Sequence, residues 1–505
     1  MTQPFKIHSA FTKNFKTHAI TIDFSKSSGF TGPKLLGNVS HLCQSSIERA
    51  FVALENLGIQ RPTQKILINF SCQSAPNEKI DGPHLDLPLV LGLHGLLRRK
   101  ISVAEKALVL GEINLNGEIK PIKNLLGYLL LAARGEYLSV IIPAGNEAEA
   151  AQLKRFSYFK DLEIFSAAHV TEVLREDFVE VAADYVRNNF TAQPKSFLDM
   201  KLSHELKQAA EVIAVGGHSL LMIGAPGSGK TMFAERLSSI LPPIEDREYF
   251  DLVSNRYAAS DTFSSAEIFQ PWTFRSPHHQ ASSAAILGAK DHPGEIALAH
   301  GGILFLDEFP EFRRDVIEGL REPLESGLIH VARAKYRTSF HCRIVFVAAA
   351  NPCPCGWYGS DIKLCHCASS KLIAYQAKIS NPIKDRIDIH LKMQKDSSES
   401  YFKIDEQRIN EAIIFARERN QEFNVQLNSL AQTSNIDKWL RLTAQSIDLV
   451  EKLEKKFLTG RSRSRTLKLA RTLADLDLSP EVEVEHVRQA RQLNKPKMNT
   501  YVNQK

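Results

Sequence analysis

Cysteine and tryptophan are scarce, with seven and three in 505 residues. So few cysteines exclude a disulfide-stapled scaffold, and four of them crowd between 353 and 367, which points to metal before disulfide. Long apolar runs are absent too. The greasiest stretch, Leu125 to Ala133, is far shorter than the roughly 20 residues a membrane-spanning helix needs. No charged-then-apolar leader opens the chain, so the expectation is a cytoplasmic protein without a membrane partner. Nor does one sign of charge dominate: 63 Lys and Arg against 57 Asp and Glu leave a formal +6, compatible with an anionic partner but no argument for one. What is present is 43% hydrophobic, enough for the cores of about two to four domains.

The most informative stretch is 220–231. Four apolar residues, Leu220 to Ile223, read as a buried strand and run into Gly224-Ala225-Pro226-Gly227-Ser228-Gly229-Lys230-Thr231, followed by a helical pattern from Met232 to Ile240. Strand, glycine-rich loop and helix together define a phosphate-binding loop. Its glycines let successive N–H groups point at phosphate oxygens, and the helix adds its positive end. Lys230 is placed to neutralise the β- and γ-phosphates of ATP, and the Thr231 hydroxyl to ligate the accompanying Mg2+.

A second apolar strand, Ile303 to Leu306, delivers Asp307 and Glu308 to its C-terminal end, where nucleotides bind in open α/β sheets. Asp307 is read as the magnesium holder, and Glu308 as the base that orients and deprotonates the attacking water. A third, Ile344 to Ala350, ends in Asn351, read as a γ-phosphate sensor. The segment between Ala258 and His300 carries His278-His279; adjacent histidines do not easily grip one ion, so a structural or subunit-contact role is expected.

Cys353-Pro-Cys355 and Cys365-His-Cys367 flank a loop containing Gly356, Trp357 and Gly359. Four thiolates in a reducing compartment suit a closed tetrahedral zinc site, with His366 as a substitute ligand; free thiols or a redox pair are the alternative. From Gly327 to Ile344 the pattern alternates like two strands around a tip near Ala334 to Tyr336. Arg333, Lys335 and Arg337 then sit beside Tyr336 on a hairpin suited to phosphates and a stacked base.

Residues 1–185 alternate strands (Ala19 to Phe24, Lys65 to Phe70, Val140 to Ile142) with helices (Ser45 to Leu57, Leu125 to Arg134) and a turn at Asn116-Gly117, the pattern of an α+β domain. Within it, DGPHLDLPLVLGL at 81–93 and GEINLNGEIKPIKNLLGYLLLAARGEYLSVIIPAGNEAEA at 111–150 resemble the Lon protease domain (ribosomal S5 domain 2-type). The resemblance places His84 where that family carries its serine, and Leu126 at its lysine. Leucine cannot take a proton, so the expectation is a structural or coupling module, with His84 a partly exposed loop residue.

Residues 190–490 resemble the magnesium chelatase-like branch of AAA+ ATPases, and within it the ComM (YifB) family. The resemblance rests on FRSPHHQASSAAILGAKDHPGEIALAHGGILFLDEFPEF, LREPLESGLIHVARA, AAANPCPCG and DRIDIH. It implies an α/β P-loop core at 186–396, including the Cys-rich knuckle at 353–367, a helical lid at 397–495 and a disordered tail at 496–505. It implies a homo-hexameric ring, assembled on DNA and ATP, that migrates single-stranded and branched DNA beside a recombinase during natural transformation. Arg386 becomes the arginine that reaches a neighbour's nucleotide, its alternative being a salt bridge to Asp385 or Asp388. Arg461 or Arg465 becomes the lid arginine at the γ-phosphate, and the hairpin lines the pore. A chelatase motor and an ATP-dependent protease are the alternative functions.

Overall fold

The strand read before the glycine loop lies inside a five-stranded parallel sheet, one place from its edge, in the second of two bodies into which a computed structural model divides the chain. The structure describes residues 5–13, 16–27, 32–98, 106–135, 137–183, 195–259, 265–271, 273–289, 292–333, 336–360, 363–394, 401–431, 436–457 and 460–495. The expected tail at 496–505 lies outside the described residues. The first body comprises Met1–Asn189 with Ser260–Phe269, the second Phe190–Ala259 with Gln270–Lys505.

In the first body, strands β1 (Phe5–Lys13), β2 (Lys16–Ser27), β3 (Gly32–Leu36), β4 (Lys65–Ser71) and β5 (Ala107–Val109) belong to a large mixed sheet. A small hairpin, β6 (Glu112–Ile113) with β7 (Ile119–Lys120), turns at Asn116-Gly117 as read from the sequence. Strands β8 (Ser139–Pro143), β9 (Glu163–Ala167) and β10 (Val179–Glu180) complete the eight-stranded sheet, in the order β10-β9-β8-β5-β1-β2-β4-β3. Alternation sets its buried face: in β4, Ile66, Ile68 and Phe70 point inward while their neighbours do not. Helix His41–Asn56 starts where the Ser40 hydroxyl accepts the Leu42 N–H at 3.2 Å. Helix Asp86–Arg98 comes so close to β2 that a Cβ at Gly92 would lie 2.0 Å from the Phe24 ring.

In the second body the order is β12 (Phe274–Arg275), β13 (Ile303–Leu306), β16 (Val345–Ala350), β11 (Leu220–Gly224), β17 (Ile389–Met393), all parallel. Every residue of β11, β13 and β16 is buried, as expected of continuous apolar strands covered on both faces. Between β13 and β16 the hairpin β14 (Leu328–Arg333) and β15 (Tyr336–His341) forms the predicted antiparallel pair, with Arg333 opposite Tyr336. The helices Glu406–Glu422, Ala444–Phe457, Gly460–Leu476 and Val484–Asn494 fall within 397–495, the stretch expected to be helical. Leu467, Leu473 and Val487 share one hydrophobic core with Leu220 and Val347 of the sheet.

Candidate nucleotide site

Three strand ends build the site, and their polar residues follow from where each apolar run stops. After β11, Gly227 and Gly229 take φ of +74° and +89°, which lets the loop curl into the helix Lys230–Leu237. Lys230 is buried, its Nζ donating to the carbonyls of Gly224 (2.7 Å) and Ala225 (3.1 Å) and to Asn351 Oδ1 (3.2 Å). Burial pulls its pKa down, against the pull of Asp307 and Glu308. Thr231 Oγ1 donates to Asp307 Oδ2 at 3.0 Å, which places together the two groups read as magnesium ligands. Among the described residues the buried Ser228 hydroxyl has no partner. Glu308 stands at φ +51°, its N–H on Asp307 Oδ1 at 2.8 Å and its Oε2 3.3 Å from His279 Nδ1. Thus Gly224 to Thr231, Asp307, Glu308 and Asn351 converge on one edge of the sheet.

The cysteine knuckle follows Asn351 directly. Sγ atoms of Cys353, Cys355 and Cys365 are 3.3, 3.5 and 3.7 Å apart pairwise, and all four sulfurs, Cys367 included, lie within 4.8 Å of one another. A tetrahedron of sulfurs at ~2.3 Å from zinc has edges of about 3.8 Å, so the donor set fits that ion. The Trp357 amide holds the Cys355 thiol down to about 6, in the range where thiolate is the ready form. The knuckle also touches the phosphate loop: a Cβ at Gly356 would lie 2.7 Å from Pro226 Cδ.

The arginines stand elsewhere. Strands β11 and β17 are parallel, Leu220 opposite Ile389, so Arg386 lies at the strand-start edge while Lys230 follows the strand end. Five residues at ~3.3 Å each separate the two edges by at least roughly 13 Å. Arg386 is buried and donates to Glu325 Oε2 from Nη2 (2.7 Å) and Nε (3.2 Å), rather than pairing with Asp385 or Asp388. Arg461 Nη2 is 3.8 Å from Glu325 Oε1. Burial opposes ionisation of Glu325, but Arg386 and its neighbours hold its carboxyl below the usual range. Arg465 pairs with buried Asp388 at 3.0 Å. The lid arginines are therefore at the edge opposite their own phosphate loop. Sequence reasoning missed Glu325, 61 positions from Arg386, and the His279–Glu308 contact.

Two other readings meet the structure differently. The hairpin backbone forms as read, but Lys335 and the side chains of Arg333, Tyr336 and Arg337 lie outside the described residues. His84 is a correction. It is buried rather than half-exposed, because Nε2 donates to the Ala10 carbonyl at 2.7 Å with the Tyr128 hydroxyl 3.3 Å away. Desolvation lowers its pKa. Leu126 is buried on the helix Leu125–Arg134, which also carries Tyr128.

A phosphate loop, two carboxylates and an asparagine on adjacent strand ends of a parallel sheet under a helical lid define a magnesium chelatase-like AAA+ protein. Consistent with that, the family described as magnesium chelatase, subunit ChlI, matches residues 196–401, subunit ChlI of Mg-chelatase matches 22–146, and its C-terminal region 402–494. The YifB protein of Salmonella typhimurium is 30% identical over 494 residues, 96% of each chain. Competence protein ComM of Haemophilus influenzae is 29% identical over 504 residues, again 96% of each. Lon protease 3 of Sorangium cellulosum matches in part, 31% over 134 residues, or 26% of this chain and 15% of that one. The chain belongs to the ComM/YifB family. Among the described residues no helix is long and apolar enough to cross a membrane.

Proposed function

We propose that this chain is an ATP-hydrolysing motor that assembles as a ring of six on single-stranded and branched DNA. Its role is to migrate junctions in the cytoplasm, beside a recombinase, as imported strands are integrated during natural transformation. One observation carries the reading: residues for a single reaction lie on opposite edges of one sheet, Lys230, Asp307 and Glu308 on one, Arg386, Arg461 and Arg465 on the other. A pocket is then complete only where the strand-end edge of one copy meets the strand-start edge of the next, the head-to-tail contact that closes into rings.

Within that pocket each residue has a role its position supports. Lys230 leaves carbonyl partners for phosphate oxygens, and Glu308 receives the proton of the attacking water while Asn351 helps to hold it. Thr231 and Asp307 would hold magnesium, which would supply charge neutralisation at the phosphates. Arg386 of a neighbouring copy approaches the charge that develops in the transition state, released from Glu325. Cys353, Cys355, Cys365 and Cys367 would hold zinc, which would stiffen the loop that packs against Pro226. The basic hairpin β14–β15 supplies the DNA contact, and the Lon-like first body couples without cutting, since His84 is held by a carbonyl and Leu126 has no proton chemistry.

The test is a labelled four-way or three-stranded junction incubated with the protein and ATP. Conversion that stops in Lys230→Ala and Glu308→Gln supports the reading. ATP turnover indifferent to DNA contradicts it and favours the chelatase alternative, whereas casein cleavage favours the protease.

A further inference from the structure

A cavity of about 330 Å³ lies beside the phosphate loop, set apart from the groups that handle phosphate and magnesium. Gly224 to Ser228 form one wall, Lys392 to Gln394 at the end of β17 a second, and Trp357 to Ser360 of the cysteine knuckle a third. The described residues that line it do not include Lys230, Thr231, Asp307 or Glu308. Thr231 borders a different cavity, with Met232 and Leu198, on the helix side of the loop. The volume is at the lower end of the roughly 300–1,000 Å³ usual for small-ligand sites.

Each wall follows from its sequence. Gly356 and Gly359 take φ of +84° and +68°, which lets the knuckle chain reverse, and the Ser360 N–H closes a turn on the Trp357 carbonyl at 3.1 Å. The Tyr358 N–H donates to Cys353 Sγ at 3.3 Å, so the cysteine cluster fixes where the two half-buried aromatic residues stand. Across the cavity, parallel pairing sets Met393 against Gly224, and a Cβ at Gly224 would lie 2.6 Å from the Met393 carbonyl and 2.6 Å from Ser228 Oγ. In β17 Lys392 is the exposed residue between buried Leu391 and Met393, which leaves a cation at the rim. Lys363 Nζ adds a second, 5.8 Å from the Trp357 ring centroid. The Ser228 hydroxyl, without a partner among the described residues, stands on the loop wall.

These groups together describe an occupant. Aromatic side chains stack on flat unsaturated rings, an amide such as Gln394 and a hydroxyl pair with a polar ring edge, and lysines hold phosphate. A base already stacked and paired in a duplex cannot enter such a cavity, so the base must be unpaired. We propose that the knuckle cavity is a second nucleotide-binding site, which takes one unpaired base against Trp357 and Tyr358 with its phosphate at Lys392 and Lys363. Such a unit comes either from a single strand or from a free mononucleotide, and the first source rests on the DNA-motor reading. Because Pro226 and Ser228 belong to both the cavity and the phosphate loop, an occupant here abuts the ATP site without competing for it.

The experiment is photo-crosslinking of the full chain, with and without saturating ADP, to a single-stranded oligonucleotide carrying 5-iododeoxyuridine and, separately, to 5-iododeoxyuridine monophosphate. Mass spectrometry identifies the crosslinked residue, and affinity for each probe is measured for wild type, Trp357→Ala, Trp357→Phe and Lys392→Ala, with ADP binding to show that each variant is folded. The crosslink should fall on Trp357 or Tyr358 and survive saturating ADP. Trp357→Ala should weaken binding about tenfold, as loss of one stacked base does, while Trp357→Phe keeps most of it. Lys392→Ala, away from the knuckle, should weaken binding of the strand and reduce its salt slope by about one. A crosslink by the strand assigns the site to DNA, and one by the mononucleotide alone assigns it to free nucleotide. A strand that binds both alanine variants as it binds wild type, with neither probe marking the cavity, overturns the inference and leaves the motor reading standing. A crosslink that saturating ADP abolishes also overturns it, since the cavity then belongs to the ATP site. A strand that binds nowhere while the mononucleotide marks Trp357 supports the site and sinks the motor reading.

Discussion

Arg465 reaches from the lid helix Gly460–Leu476 to Asp388, its Nη1 3.0 Å from Oδ1, and so ties the lid to the residue that precedes β17. Asp388 is buried, and takes the Ser219 N–H at 3.1 Å and hydroxyl at 3.0 Å, while His218 Nδ1 stands 3.4 Å away. The pair fixes the strand-start edge on which Arg386 also stands.

Removing the Asp388 carboxylate leaves Arg465 without its partner, and Asp388→Ala should cost about 3–5 kcal/mol of unfolding free energy at pH 7. Burial opposes the charge on Asp388, but Arg465, His218 and Ser219 hold its carboxyl well below the usual range. A depressed carboxylate contributes stability that is present above the unfolded value, ~3.9, and lost as pH falls through the folded one. Urea unfolding of wild type and variant should therefore converge on acidification below about pH 4.

Metal content tests the knuckle. Purified protein should carry one zinc per chain, and Cys355→Ser or Cys365→Ser should lose it. Because Gly356 backs onto Pro226, the same variants should also weaken ADP binding. A metal-free wild type with normal ADP affinity would refute the assignment.

Lys230→Ala and Glu308→Gln should fail differently. The first removes the buried ammonium among Gly224, Ala225 and Asn351, and with it nucleotide binding. The second keeps binding but should lower turnover by about 100-fold or more, the usual contribution of a general base. Equilibrium binding of a fluorescent ATP analogue beside steady-state turnover separates the two.

His84→Ala should leave the Ala10 carbonyl without its donor in a buried place, at a cost of about 1–3 kcal/mol to the first body. A thermal scan should show the loss, and ATP turnover should be unchanged.

How much of this was legible in the sequence depended on the range of the interaction. Leu220–Gly224, Ile303–Leu306 and the hairpin 328–341 were readable because apolar runs and alternation are local signals. The sheet edge β12 was not, since Phe274–Arg275 is two residues long and gains its identity only by pairing with Ile303 and Leu304. β1, with its polar residues His8, Ser9 and Thr12, likewise became a strand through its pairing with β2. The residues read for the nucleotide site each end an apolar run or a glycine loop, a local signal, but their partition between two edges follows from strand direction. Glu325 and His279 were invisible as partners because 61 and 29 positions separate them from Arg386 and Glu308.

The central claim is a pocket shared between copies, and mixing two inactive variants tests it most directly. Lys230→Ala and Arg386→Ala should each be inactive alone. Combined in equal amounts under assembly conditions, they form interfaces in which an intact phosphate loop meets an intact arginine, about a quarter of all interfaces in a randomly mixed ring. The account predicts that ATP turnover returns on mixing towards that fraction of the wild-type rate. Turnover that stays at the level of the separate variants, or an Arg386→Ala protein as active as wild type, would contradict it.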